Sequence, residues 1–459
     1  MHGPAGTASL CHSPRTLGFR IFKSSLFRAA CAVATLSSCG GSQTSPATGA
    51  ASATATPAEQ APLLPKELAS FDYVWDSIDQ THWDVEKVGA SWDAIRDELR
   101  PKMIAAKTAA EAGDILNDLI SRLGQSHFVI SGSSSSGGEV DIGGSGTLGL
   151  EVRLIDDAVV VWRVANDGAA AAKGIKTGMI VASVNDKAWK DVLAAVRSAS
   201  KKPLGRYELG NTATLFVRGA VGSEAKLALI DGAGASKEVV ATWAKAAGTT
   251  ANFGLLRGIP VEYESSEIGK SIGYVRLSMF FDPVTVSQRF KADIERFSGK
   301  SGLVFDLRGN PGGIGGMAMG LGGRLVSKQG TKLGTMISRE SKLDFVLNPQ
   351  PGAFTGKVAI LVDGQCASTC EILAAGLEDI GRATVFGTRT AGAALPSQIE
   401  ALPNGALFQH ATANYVSASG RVLEHDGLTP KQIVPLTRES LLEGSDSQLA
   451  AAVTWIQAN

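Results

Sequence analysis

One serine stands where an apolar strand pattern runs into a helical pattern. Val362–Ile372 reads VDGQCASTCEI, with Ser368 at the junction. A hydroxyl there can be presented as a nucleophile, and a helix N-terminus favours negative charge developing beside it. Serine at the mouth of a helix is equally a common N-cap, so Ser368 alone does not decide between the two. A second segment, Leu303–Gly313 (LVFDLRGNPGG), is an apolar run ending in a Gly-Asn-Pro-Gly-Gly turn. Such a turn can offer backbone N–H groups to an anion. No Gly-Lys-Ser/Thr follows it, so it is not a nucleotide-binding P-loop. Cys366 and Cys370 flank Ser368. A thiolate could also attack, but this apolar setting favours two small buried thiols, and a disulfide spanning the start of a helix is geometrically awkward. No His/Cys pairs at ligand spacing accompany them, which argues against a zinc site.

The elements that must position these residues are legible in outline. Leu68, Phe71, Val74, Trp75 and Ile78 recur at helical spacing,. A second helical stretch over Trp92–Leu99 is expected to stop at Pro101,. A third, from about Ala109 to Leu123, carries Ile115, Leu116, Leu119 and Ile120 and ends at Gly124,. Strand patterns follow at Leu148–Leu154, Ala158–Val164 and Ile180–Val184. From about residue 246 strands alternate with helices: Ser271–Leu277, Leu303–Leu307, Val358–Val362 and Thr384–Gly387 are separated by helical patterns near 284–297, 316–326 and 367–380. Alternation of this kind argues for a largely buried α/β sheet. A short helix is expected near Ser447–Ile456, and no internal repeat is visible.

Two stretches resemble known families. Thr147-Leu148-Gly149-Leu150, followed by DGAAAAKGIKTG (Asp167–Gly178) and the strand after it, resembles a bacterial PDZ domain. The resemblance makes Leu148, Gly149 and Leu150 the loop that binds a peptide C-terminus, where backbone N–H groups meet the carboxylate and a strand edge accepts the peptide. The rival reading is any small β-rich insertion. More widely, LVFDLRGNPGG, VDGQCASTCEI, GRATVFGTRTAGAA (Gly381–Ala394) and SGRVLEHDGLTP (Ser419–Pro430), in that order, resemble the tricorn/C-terminal processing peptidase family. With the helical and PDZ-like segments the resemblance covers about residues 64–440. It implies an α/β fold with a crotonase/Clp-type α/β spiral core, an N-terminal helical region and an inserted PDZ-like domain. It also implies serine endopeptidase chemistry with Ser368 as nucleophile. The oxyanion hole is then expected from backbone N–H groups of Thr369 and of Gly312 or Gly313.

The two branches of that family differ in the general base. The C-terminal processing branch carries a lysine in a segment that here reads Gly387-Thr388-Arg389-Thr390-Ala391-Gly392-Ala393-Ala394, with Ala393 at the lysine position. Arg389 cannot take over, because a guanidinium does not give up its proton in proteins. The tricorn branch carries a histidine after a serine, and a distant glutamate. Leu123-Gly124-Gln125-Ser126-His127-Phe128 and Glu424 in EHDGLTP match those places. An imidazole, with an ordinary pKa of about 6.5, suits proton abstraction near neutrality and needs a partner to fix its tautomer. The expectation is therefore His127 as base, with Glu424 orienting or polarising the site through Ser126. A helix-end histidine satisfied by backbone is the plain alternative for His127, and Asp426 or His425 could stand in for Glu424.

Composition frames these residues. The chain has 459 residues, 44% hydrophobic, enough for about three domains and a sizeable core,. Its 44 basic and 44 acidic residues leave no net basic field for nucleic acid,. The balance is uneven along the chain. Residues 1–39 hold Arg15, Arg20, Lys23 and Arg28 and no acid. The apolar stretch Ala29–Leu36 that follows is far shorter than the ~20 residues a membrane span needs, and it suits a secretory signal. Small residues before Cys39 (Leu36-Ser37-Ser38-Cys39) resemble a bacterial lipoprotein box, with Cys39 lipidated. A plain signal peptide cut nearby is the alternative.

The organisation expected is a leader over 1–39, a flexible linker over 40–63, a helical region over 64–131, a PDZ-like domain over 140–245, an α/β peptidase core over 246–445 and a C-terminal helix over 446–459. The function expected is an exported, lipid-anchored serine endopeptidase of the bacterial cell envelope. It would act on polypeptides, engage their C-termini, and use no metal or organic cofactor. The rivals are a catalytically inactive ligand- or peptide-binding protein on the same fold, as in the interphotoreceptor retinoid-binding modules, and a crotonase-type acyl-CoA enzyme, which leaves the PDZ-like segment unexplained. Mass spectrometry of the mature N-terminus should find a diacylated Cys39; an unmodified terminus further along the chain would rule the anchor out.

Overall fold

The structure is a computed structural model and describes residues 64–132, 146–200 and 203–458. The expected leader, Cys39, the linker over 40–63 and the glycine-serine stretch over 133–145 lie outside the described residues. The architecture is mixed α/β, with helices and several sheets around three main apolar cores.

The largest core is organised by a six-stranded sheet. In spatial order its strands are Tyr263–Ile268, Ile272–Leu277, Gly302–Asp306, Lys357–Val362, Ala383–Gly387 and Gln432–Ile433. The first pair is antiparallel and every later pair parallel. Parallel strands need helical crossovers that cover both faces, which is why these segments read as continuous apolar runs. Side chains alternate between the faces. Leu303, Phe305, Val358 and Ile360 join the core beneath the helices Pro283–Arg296 and Thr369–Asp379. Val304, Ala359 and Leu361 pack on the other face with Ala452 and Ile456 of the helix Ser447–Gln457. The helix Thr369–Asp379 has no exposed face, since all its residues from Thr369 to Glu378 are buried.

Three helices lead in: Leu64–Thr81, Ala90–Ala105 and Ala109–Ser121. The second does not stop at Pro101 as expected but carries that proline inside it. A proline there forfeits one N–H bond, and burial of Leu99 and Met103, each 1% exposed, holds the last turn in place. These helices share their apolar core with Leu395, Leu402, Ala406 and Phe408 around the strands Ser397–Ala401 and Leu407–Ala411. The short strand Val129–Ser131 then pairs antiparallel with Leu407–Ala411, placing Val129 opposite Gln409. That ladder carries the end of the helical region across to the α/β core.

A second sheet, antiparallel, runs in the order Leu150–Ile155, Ala158–Val164, Ile180–Val184, Glu224–Ile230, Ser236–Thr242 around its own core. The helix Arg206–Phe216 lies beside its edge strand Leu150–Ile155. The strands after residue 246 that the pattern missed, such as Thr331–Ser338 and Lys342–Leu347, are half-exposed hairpin strands with polar and glycine positions. The helix expected over 316–326 ends at Gly322.

Phe290, fully buried and stacked on Phe305 at 5.3 Å between ring centroids, anchors the covering helix to the sheet. Phe290→Ala is expected to cost about 3–5 kcal/mol, read as a lowered denaturation midpoint at unchanged slope.

Candidate active site

Ser368 closes the corner between the strand Lys357–Val362 and the helix Thr369–Asp379, with φ 55° and ψ −122°. A positive φ at a residue with a Cβ costs about 1–3 kcal/mol and persists only where the surroundings dictate it. Here they do. The Ser368 N–H donates to Ala393 O at 2.7 Å and to Glu371 Oε2 at 3.2 Å, and its carbonyl accepts the Ile372 N–H at 3.0 Å. The turn Gly309–Gly313 is laid against this corner. A Cβ on Gly312, whose φ is 100°, would lie 2.7 Å from Ser368 Cβ and 2.8 Å from Ala367 O, so only glycine fits,.

The three expected oxyanion donors all surround Ser368, but they are not equivalent. The Gly312 N–H already donates to Asn310 Oδ1 at 2.8 Å. Asn310, fully buried, also donates Nδ2 to Leu277 O and accepts the Ala367 N–H on its carbonyl. It pins the turn to the corner, a task the sequence reading did not assign although Asn310 lies inside the GNPGG motif. The other two expected donors, Gly313 and Thr369, lie at the end of this turn and at the head of the helix. Their backbones are joined by the Thr369 hydroxyl, which donates to Gly313 O at 2.7 Å, and Thr369 heads the helix, where N–H groups have no partner within it.

His127 and Ser126 arrive from the end of the helical region, and Glu424 from the segment after the strand Ala413–Ser417. Glu424 Oε1 accepts the Ser126 N–H at 2.7 Å and Oε2 accepts the Ser126 hydroxyl at 2.8 Å. Ser126 Oγ lies 2.7 Å from His127 Nδ1. With its one hydroxyl proton directed at Glu424, Ser126 can only accept from the imidazole, so Nδ1 carries the ring proton and Nε2 keeps its lone pair. Glu424 thus sets the tautomer of His127 through Ser126 rather than by direct contact. Burial pushes the His127 pKa down to about 4, so the ring is a neutral base over the whole physiological range.

The same acid is tied to the Ser368 corner. Glu424 Oε2 also accepts the Ala394 N–H at 3.3 Å, next to Ala393, whose carbonyl holds Ser368. Asp426 is outside this arrangement: its side chain is 82% exposed and pairs with Arg389 at 3.0 Å. His425 contributes a backbone N–H to Gly392 O. Cys366 and Cys370 are buried free thiols, Cys366 donating to Leu307 O at 2.8 Å. Burial raises both thiol pKa values, which keeps them protonated. Among the described residues no group of three His, Cys, Asp or Glu side chains is placed to hold a metal ion, and no helix is long and apolar enough to cross a membrane.

Leu148 and Gly149 form a short loop that leads into Leu150, the first residue of the second sheet's edge strand. Leu148 and Leu150 are buried, Gly149 has φ 72°, and its N–H donates to Thr147 Oγ1 at 3.1 Å. The adjoining elements reach the active-site corner through contacts that isolated polar residues in the sequence did not signal. Arg153 Nε donates to Asp363 at 2.7 Å, Arg206 Nη2 to Thr390 O at 2.7 Å, and Gln365 Nε2 to Thr214 Oγ1 at 3.0 Å.

Residues 271–434 match the family described as Peptidase family S41. The chain is similar to a carboxy-terminal-processing protease of Bartonella bacilliformis, 27% identical over 317 residues that cover 66% of this chain and 64% of the relative. It is 29% identical over 180 residues to a carboxyl-terminal-processing protease of Synechocystis, covering 39% of this chain and 42% of that one. The chain therefore spans less than two thirds of the length of these curated relatives. Its fold is shared with the photosystem II D1 C-terminal processing protease (21% identity, TM-score 0.51, 83% of this chain and 98% of that one). It is also shared with mature CPAF complexed with lactacystin (15% identity, TM-score 0.56, 86% and 98%).

The geometry makes a prediction for the imidazole. Because burial favours the neutral ring, that contribution to stability is complete above about 6.5 and is lost as pH falls through about 4. NMR of histidine-labelled protein should show His127 as the Nδ1–H tautomer titrating near 4. A midpoint near 6.5 would contradict the buried placement.

Proposed function

We propose that this chain, which carries a peptidase family S41 core over residues 271–434, is an exported serine endopeptidase of the Ser-His-Glu type. The observation that carries the reading is the unbroken relay from Glu424 through Ser126 to His127 Nδ1, tied through Ala393 and Ala394 to the strained corner of Ser368. In this reading His127 Nε2 takes the Ser368 proton as Oγ attacks the peptide carbonyl. The tetrahedral oxyanion develops against the Gly313 and Thr369 amides at the helix N-terminus. The imidazolium then passes the proton to the leaving amine, and the acyl-enzyme on Ser368 is hydrolysed by water activated in the same way. The proton stays on imidazole while Glu424 stabilises the charged intermediate across Ser126. No metal or organic cofactor enters these steps.

The Leu148-Gly149-Leu150 loop and the edge strand Leu150–Ile155, faced by the helix Arg206–Phe216, support a PDZ-like role. A peptide would add to that edge with its terminal carboxylate at the loop. The names of the relatives point the same way, to processing of polypeptides from their C-terminal ends. The leader over 1–39 and Cys39 support attachment to a bacterial envelope membrane by lipid.

A fluorophosphonate probe is expected to label the wild-type protein and to fail on Ser368→Ala and His127→Ala. Turnover of an unfolded protein should fall by at least ~10³-fold in either variant. Asp426→Asn should label at the wild-type rate. Wild-type protein that neither labels nor cleaves would favour an inactive binding protein on the same fold. Labelling that survives His127→Ala but is lost on replacing His425 would move the base to that residue.

A further inference from the structure

Glu371 is the one fully buried carboxylate beside Ser368 that the mechanism above leaves without a role. It lies on the first turn of the nucleophile's helix, and its two oxygens accept four hydrogen bonds. Oε1 accepts the Thr390 hydroxyl at 2.5 Å and the Gly392 N–H at 2.9 Å. Oε2 accepts the Ala393 N–H at 2.9 Å and the Ser368 N–H at 3.2 Å. Three of these donors belong to the segment Thr390–Ala394, which also supplies the carbonyl that holds the Ser368 N–H and the amide that reaches Glu424. A simple helix cap needs none of this, because a capping box satisfies only two donors.

We propose that Glu371 is a positioning residue for the acylation of Ser368, its ionised carboxylate locking the nucleophile's corner and the segment Thr390–Ala394 into one register. The inference rests on the peptidase reading. Four donors and no direct cation make an acceptor-only group necessary. A protonated or amide side chain would turn a hydrogen toward an N–H it must accept from, and Ser368 would relax from its positive φ. Burial pushes the Glu371 carboxyl up to about 7, against the pull of the four donors, so the lock would close as pH rises through neutrality. The groups facing it are Arg206 from the helix Arg206–Phe216, Cys366 and Cys370 on its own side, Arg389 before the clamped segment, and Glu424 and His425 beyond it. The arginines are charged throughout this range and the buried thiols neutral.

The test is the pH dependence of fluorophosphonate labelling and of kcat and KM on a peptide, in wild-type protein and in Glu371→Gln and Thr390→Val. For wild type, the labelling rate should rise through a midpoint near 7. In Glu371→Gln that limb should vanish. Its kcat above pH 8 should fall ~100-fold, as for a reacting group displaced by about 1 Å, with KM within about twofold. Thr390→Val removes a donor that favours the ionised form, so its limb should move to higher pH with a smaller loss of rate; it serves if Glu371→Gln does not fold. Wild-type rates in Glu371→Gln, or a limb unmoved in both variants, would overturn the proposal. Labelling that persists in Ser368→Ala would instead sink the peptidase reading itself.

Discussion

The structure depends on a backbone turn that a serine does not adopt willingly. At Ser368 the central strand must end and a fully buried helix must begin within a few residues, and the positive φ is what allows that reversal. The same turn lifts the hydroxyl away from the sheet, at the end of the helix where partial positive charge collects. Its cost is met by packing rather than by local hydrogen bonding alone. The helix behind it is buried on every side, and the Gly-Gly turn in front approaches so closely that no side chain can intervene. Gly312 is therefore a consequence of the serine's conformation, while its neighbour Gly313 is required by the Phe280 backbone, which a Cβ there would meet at 2.1 Å.

The second dependence is long-range. Ser126 and His127 precede a three-residue strand, Val129–Ser131, whose only partner among the described residues is Leu407–Ala411, nearly three hundred residues later. That strand is too short to hold itself. It is steadied by the shared core of the lead-in helices and by His82, which is buried and meets Gln125 Oε1 through Nε2 at 2.8 Å. Arg339 donates to the His82 carbonyl at 3.1 Å and binds the same turn to the hairpin of the α/β core. His127 is thus positioned by tertiary contacts converging from three parts of the chain.

What could be read in the sequence follows from this division. The buried parallel strands are legible as apolar runs because burial on both faces writes itself into composition, and the antiparallel strands Ala158–Val164 and Ile180–Val184 match the structure residue for residue because their β-branched runs are bounded by turn residues,. Ser368 and its glycines were visible because strain and close approach restrict residue types. Pro101 misled because a helix end can lose one hydrogen bond when Leu99 and Met103 are buried around it. Glu371 and Asn310 were present in the motifs yet had no assigned work, since the value of a buried acceptor lies in donors that arrive from elsewhere. The same holds for Arg153 and Arg206, which look like ordinary surface charges until their partners Asp363 and Thr390 are in place.

The absence of lysine at Ala393 gains a physical sense once both carboxylates are considered together. A lysine at that position would stand next to Glu371, which binds the Ala393 amide, and Glu424, which binds the Ala394 amide. An ammonium beside two buried carboxylates would be held charged by their attraction and would be a poor base. A neutral imidazole avoids that difficulty. Burial lowers its proton affinity, and Ser126 stands between it and Glu424, so the carboxylate fixes the tautomer at one remove. The two acids differ in geometry: Glu371 gathers donors around the Ser368 corner, while Glu424 holds the Ser126 hydroxyl that adjoins His127. In the proposed mechanism the second acid is the one that responds when charge moves onto the imidazole, and it is the one joined to that ring through Ser126.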